Sequence, residues 1–213
     1  MAKKRIICRI PETMCRLLDN ECDKVKDHLT GLGNEQMYKE KSRQAISFLQ
    51  RYNTREHKHP FSMLAGDIDF FKKINDRYGH PYGNKVLKTT ACILKNNIRG
   101  ADFIARLYQT GDEFMIGLPN TDLYHAILAA EKLKKAISEY YFDRLKGNIS
   151  LTFGAADLET VMHVNKLHSN YDPVNLVDKM IECADEALLE GKLTDKGCIR
   201  PYASDISSVV TST

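Results

Sequence analysis

Asp102–Pro119, DFIARLYQTGDEFMIGLP, holds two short apolar runs, Phe103–Leu107 and Phe114–Leu118, joined by a polar turn around Gly111. Apolar runs bounded by turn residues predict paired β-strands, and Gly111 can supply the positive φ a tight turn needs. Two carboxylates, Asp112 and Glu113, follow that glycine directly. Neighbours on a strand point to opposite faces, so these two cannot share one job. Alone, Gly-Asp-Glu reads as a solvated hairpin tip. A second acidic stretch upstream argues against that.

The second stretch is Phe61–Asn84, FSMLAGDIDFFKKINDRYGHPYGN. Ser62–Gly66 is an apolar run of strand length, closed by Asp67-Ile68-Asp69. Phe70, Phe71 and Ile74 then take helical spacing, and Gly79, Pro81 and Gly83 are expected to break that helix. A strand ending in Asp67 beside a hairpin carrying Asp112 brings like charges together. They repel and raise a pKa unless a cation intervenes. Mg²⁺ favours one or two carboxylates plus substrate phosphates, so a nucleotide-bound metal fits this pattern.

The 213 residues suit one domain with a small extension, and 43% apolar content can build a core. A net charge of +3 without a long basic run gives no nucleic-acid stripe. No apolar run reaches the roughly 20 residues of a membrane helix, and no signal-peptide pattern opens the chain. The six cysteines form no CxxC pair. Cys8, Cys15 and Cys22 fall on one side of a helix, as thiols of a reducing cytoplasm.

Pro11–Asp27 predicts an amphipathic helix, carrying Met14, Leu17, Leu18 and Val25 among charges. Asn34 is expected to cap a helix to about Gln50, with Met37, Tyr38, Ala45, Ile46 and Leu49 on its apolar side. Arg51–Pro60 is a polar loop in which His57 and His59 read as solvated. Tyr82–Ile98 is a further helix, and Thr121 or Asp122 caps another to about Tyr140. Ile149–Ala155 is a strand, Asp157–Pro173 irregular, Val174–Leu189 the last helix and Cys198–Tyr202 a final strand. Ser- and Thr-rich Asp205–Thr213 is expected to be a disordered tail. Alternating strands and helices around a hairpin indicate an α/β sandwich.

In order along the chain, five segments resemble the motifs of the GGDEF nucleotidyl cyclases, mostly diguanylate cyclases. They are His28–Asn34, Asp67–Asp76 with Tyr78-Gly79-His80 after it, Thr110-Gly111-Asp112-Glu113-Phe114, Ser150–Gly154 and Ala184–Leu188. The likeness covers about residues 28–200. It implies a palm-type α/β fold, a central antiparallel-containing sheet flanked by helices in βααββαβ order. The expected division is an N-terminal helical extension over 1–27, the cyclase domain over 28–203 and a tail over 204–213.

The resemblance implies a metal-dependent nucleotidyltransferase that joins two purine nucleoside triphosphates into a cyclic dinucleotide within a homodimer. By position, Asp67, the Ile68 carbonyl and Asp112 would hold Mg²⁺ or Mn²⁺, and Glu113 is the further catalytic acid. The backbone at Phe70, Phe71 and Lys72 would cradle phosphates at a helix start. Lys192 and Lys196 would add cations, although Lys192 also suits a helix C-terminus. Asn75 and Asn84 would face the base. In this family the N-terminal helix links a sensor to the cyclase. No sensor has room ahead of it here, so the expectation is either input from a regulatory protein partner or an enzyme unregulated at that end.

Four positions depart from the family pattern. Thr110 replaces a glycine, giving TGDEF, and Arg106 lies two residues further from Gly111, implying a longer hairpin. Asp195-Lys196-Gly197 stands for Gly-Arg-Asn, leaving a cation without arginine's fork. Asn84 replaces the aspartate that reads guanine. Arg99 and Asp102 match an inhibitory RxxD motif and equally a helix end with a turn. The departures leave a second class open, a lapsed module that senses nucleotide or cyclic dinucleotide.

Overall fold

The computed structural model describes residues 24–52, 59–107, 111–167 and 172–202. Helix α1 (Glu35–Tyr52) starts where Asn34 predicts: Asn34 Oδ1 accepts from Met37 N at 3.1 Å and its carbonyl from Tyr38 N at 3.0 Å. Next come β1 (Phe61–Ile68), α2 (Phe71–Tyr78), α3 (His80–Asn97), β2 (Phe103–Arg106), β3 (Glu113–Pro119) and α4 (Leu123–Ser138). The chain continues through β4 (Leu151–Asp157), α5 (Leu158–Val164), α6 (Pro173–Thr194) and β5 (Ile199–Pro201). From β1 to β4 the order is the expected βααββαβ.

The strands make one sheet in the order β2-β3-β1-β4-β5, antiparallel throughout except for the parallel β4–β5 pair. The β2–β3 hairpin places Arg106 opposite Phe114. Strand alternation divides the core in two. Leu64, Ile68, Ile116, Leu151 and Phe153 pack with residues of α2, α3 and α4. Phe61, Met63, Ala65, Met115 and Ala156 pack with residues of α1, α5 and α6. Helices on both faces explain why β1 is buried at every position and reads as one apolar run.

Gly154 sets the approach of α6 to β4. A Cβ there would lie 2.1 Å from the Ala184 carbonyl oxygen and 2.3 Å from Leu188 N, so only glycine admits the helix backbone. Asp122, not Thr121, caps α4, accepting from His125 N at 2.8 Å.

Several boundaries differ from expectation. Asp157–Leu167 is not irregular: Leu158 and Val161 bury one side of α5, and Asp157 caps it by accepting from Glu159 N and Thr160 N. Residues 168–171 lie outside the described residues. Gly79 alone separates α2 from α3, because proline is tolerated in a first helical turn. Pro81 and Gly83 therefore sit inside α3, and α6 runs on to Thr194. Lys26 bridges to Gly33, so the helix expected over Pro11–Asp27 does not reach Asp27. Its earlier part, the Cys8, Cys15 and Cys22 series, His57, Thr110 and the 205–213 tail lie outside the described residues. His59 Nδ1 meets Asn120 Oδ1 at 3.1 Å and is not simply solvated. No helix of the described residues is long and apolar enough to cross a membrane.

Candidate active site

Register decides where the acids meet. Antiparallel β1 and β3 pair Asp67 directly with Glu113, at the end of the central strand and the start of the hairpin's second strand. Asp67 is 5% exposed, and Lys192 Nζ reaches back from α6 to within 2.6 Å of its Oδ2. Burial raises the Asp67 carboxyl, and the charges of Asp112 and Glu113 raise it further against the pull of Lys192, to about 7. Burial likewise raises Asp112, with Lys192 and Arg106 opposing. The two acidic turns thus converge on one lysine.

Asp69 has a different task. Its carboxylate accepts from Ser150 Oγ at 2.5 Å and Thr152 Oγ1 at 2.6 Å, and its N–H donates to the Ser150 carbonyl at 3.0 Å. These bonds tie the end of β1 to β4. They also fix the turn into α2, where Phe70 takes φ 58° and offers no side-chain cap. The first N–H groups of α2 therefore lack a side-chain acceptor from that position, as an anion cradle requires.

Phe71 turns into the core, whereas Phe70 is 49% exposed and Lys72 faces solvent. The Phe70 ring lies between two cations, Lys73 Nζ at 4.4 Å and Lys196 Nζ at 4.3 Å from its centroid. Cation–π contact holds both lysines beside the α2 start. Lys196 precedes Gly197, whose φ of 75° and N–H bond to Thr152 Oγ1 at 2.9 Å shape that turn.

Asn75 of α2 lies against α3 at Gly83, the residue before Asn84. A Cβ on Gly83 would sit 1.8 Å from Asn75 Oδ1, so the glycine beside Asn84 is what lets Asn75 lie there. Asn84 is exposed near the start of α3, and its side chain makes no hydrogen bond among the described residues.

Arg99 and Asp102 lie apart from this cluster. Arg99 Nη2 donates to Asp102 Oδ1 at 2.7 Å and Thr121 Oγ1 at 2.7 Å, and both residues line a cleft of about 350 Å³ with Lys41 and Lys95. Arg106 is buried. Its Nη1 donates to Asp27 Oδ1 at 3.0 Å and its Nε to the Gly111 carbonyl at 2.9 Å, which anchors the turn before Asp112. Burial opposes ionisation of Asp27, but hydrogen bonds from Thr30 and the Arg106 charge hold its pKa below the usual value.

Two carboxylates, Asp67 and Asp112, with the Ile68 carbonyl, are donors of the kind that a hard divalent ion takes. Both carboxyl groups are pushed toward the neutral form, a cost that a cation relieves, and Lys192 Nζ already supplies one positive charge there. Among the described residues no three His, Cys, Asp or Glu side chains surround a common point. Such a site would need further oxygens from substrate phosphates.

Two acids escaped the reading of the sequence as site residues. Asp185, on α6, is raised to about 6 by burial and the Glu113 charge, with Lys192 opposing. An acid between the buried Ala184 and Ala187 was the available signal. Asp27 immediately precedes the His28–Asn34 motif, and nothing local marks it as the partner of Arg106.

A family model described as the diguanylate cyclase GGDEF domain matches residues 24–198. Diguanylate cyclase A of Treponema denticola is 37% identical over 139 residues, covering 64% of this chain and 34% of that protein. Diguanylate cyclase DgcS of Shewanella oneidensis is 29% identical over 181 residues, covering 85% and 54%. The chain therefore spans about a third to a half of the length of these relatives. The coiled coil and GGDEF domain of DgcB from Caulobacter crescentus, solved with c-di-GMP, shares the fold at a TM-score of 0.73 and 19% identity, over 89% of this chain and 92% of that one. The active GGEEF domain of a diguanylate cyclase from Vibrio cholerae superposes at 0.67 and 27% identity, over 80% and 97%.

Proposed function

This chain belongs to the GGDEF family of diguanylate cyclases, and from that premise we propose that it joins two purine nucleoside triphosphates into a cyclic dinucleotide, c-di-GMP foremost. The convergence of Asp67, Asp112 and Lys192 carries the proposal. In each of two steps a 3′-hydroxyl oxygen bonds to the α-phosphorus of the other nucleotide, and pyrophosphate leaves with the proton passed to a base or water. A divalent ion held by Asp67, Asp112 and the Ile68 carbonyl would polarise that phosphate and acidify the hydroxyl. Lys192 and Lys196 would offset phosphate charge, the α2 start would bind phosphate oxygens, and Glu113 would serve as the further catalytic acid.

One domain offers one such half-site, so the active species is a homodimer. Mixing in Asp67→Ala protein should depress wild-type turnover, and activity linear in wild type alone would exclude this. Arg99 and Asp102 form the candidate product-inhibition site. There Arg99→Ala should relieve inhibition at high product, and equal inhibition would leave Arg99 a helix-end residue. A cytoplasmic setting and a regulatory protein acting through the N-terminal extension complete the proposal.

Base selectivity should be relaxed. Guanine presents neighbouring N1–H and N2–H₂ donors, whereas the Asn84 amide offers one acceptor and one donor, a pattern adenine answers. We expect GTP to remain the main substrate and ATP to be accepted. Purified protein with Mg²⁺ and equimolar GTP and ATP, its products identified by mass, tests this beside Asn84→Asp. Exclusion of ATP by wild type as firm as by that variant removes Asn84 as selector. Nucleotide binding without any product would favour the lapsed, sensing module to which the TGDEF signature also points.

A further inference from the structure

A second cleft, of about 330 Å³, lies between the first turns of α3 and the segment 140–144 after α4; neither Asp67, Asp112 nor Lys192 lines it. Tyr82 and Lys85 form one wall, and Tyr140, Tyr141, Asp143 and Arg144 the other. The Arg144 guanidinium carbon stands 5.3 Å from the Tyr82 ring centroid, so the ring orients the fork while leaving its charge unneutralised. Lys85 and Arg144 have no ion-pair partner among the described residues. Tyr140 and Tyr141 are 44% and 56% exposed, although Tyr140 is braced edge-on against Phe142 at 4.7 Å.

Exposed aromatic faces beside two unpaired cations are the pairing that binds a planar base and an anionic phosphate together. The size falls at the lower end of small-ligand sites, enough for one nucleotide. Asp143 leaves the cleft with a single net positive charge, and its carboxylate can accept from a ribose hydroxyl.

We propose that this cleft is an accessory mononucleotide site, with the base on Tyr140 and Tyr141 and the phosphate on Lys85 and Arg144. It is separate from the site assigned to the cyclase reaction, and binding here does not depend on turnover. Full-length protein in metal-free buffer is titrated calorimetrically with AMP and GMP, and with inorganic phosphate and guanosine as partial ligands. A parallel sample is photo-crosslinked with azido-AMP and its peptides mapped. Adducts should fall within residues 140–144, and phosphate or guanosine alone should bind more weakly than GMP. Lys85→Glu and Arg144→Glu should each weaken binding by about tenfold or more. Lys192→Met should leave it unchanged. Adducts confined to residues 67–75, phosphate binding as tightly as GMP, or unaltered affinity in both charge reversals would each overturn the assignment. Thermal melts of the variants separate lost binding from lost folding.

Discussion

Lys192 Nζ lies 2.6 Å from Asp67 Oδ2, so a side chain near the end of α6 closes over the end of the central strand. The buried Asp67, the half-buried Asp112 and one lysine make a balanced cluster only while a cation is present. A substrate-bound metal would add positive charge and free Lys192 for phosphate.

Asp67→Ala and Asp112→Ala should each abolish metal-dependent product formation while circular dichroism stays that of the wild type. Lys192→Met should lower kcat/KM by about tenfold or more, as loss of a charge-assisted contact does. Product detected by mass at wild-type rates in either aspartate variant would remove these residues from the site.

Stability should fall as pH rises. Folded Asp67 and Asp185 titrate near about 7 and about 6 against an ordinary 3.8, so the native state holds protons that the unfolded chain has released. The unfolding free energy these groups contribute is complete below the ordinary value and is lost as pH climbs through the raised ones. At roughly 1.4 kcal/mol per pKa unit, the two shifts together bound the change at about 7 kcal/mol. Urea unfolding in EDTA from pH 4 to 8 should show it, and Asp67→Asn should flatten the curve. A wild-type profile that rises over that range would contradict the burial of these acids.

The two motif arginines should separate on stability. Arg106 and Asp27 side chains are 2% and 5% exposed, so Arg106→Ala strands a buried carboxylate at a cost of about 3–5 kcal/mol. Arg99 is 58% exposed over an Asp102 side chain that is 3% exposed, and Asp102 Oδ2 keeps its bond from Arg99 N at 2.8 Å, so loss of Arg99 should cost less, about 1–3 kcal/mol. Denaturant midpoints compare them directly, and equal costs would refute the contrast.

Two glycine substitutions should divide in the same way between function and fold. In Gly83→Ala the new methyl meets the Asn75 side-chain amide, which can rotate away, and approaches only the edge of the Phe71 ring, at 3.3 Å, so KM should rise with a small change in melting temperature. In Gly154→Ala it meets the backbone of α6, which cannot, so stability should fall by at least 1–3 kcal/mol, the usual cost of overpacking. Michaelis kinetics and thermal melts on both variants test the pair. A Gly83→Ala enzyme with unaltered KM would mean that Asn75 does not touch the base.

Helix starts, apolar faces and the hairpin were legible because their signals are local. Asn34 and Asp122 cap within three residues, and the unbroken apolar runs of β1 and β3 report that both their faces are buried. Helix α5 was missed because a single turn or two buries only Leu158 and Val161, too few apolar positions to show a period. The acidic segments around Asp67 and Asp112 could be singled out along the chain, but not what each acid faces. Asp69 finds Thr152 at a separation of 83 residues and becomes a latch, while Arg106 finds Asp27 at a separation of 79 and anchors a turn. Asp67 meets Lys192 only because Gly154 lets α6 pack against β4, which lies beside β1. Burial and charge compensation depend on neighbours in space. Folding alone assigns those neighbours, and with them which carboxylates are spent on structure and which stay available for chemistry.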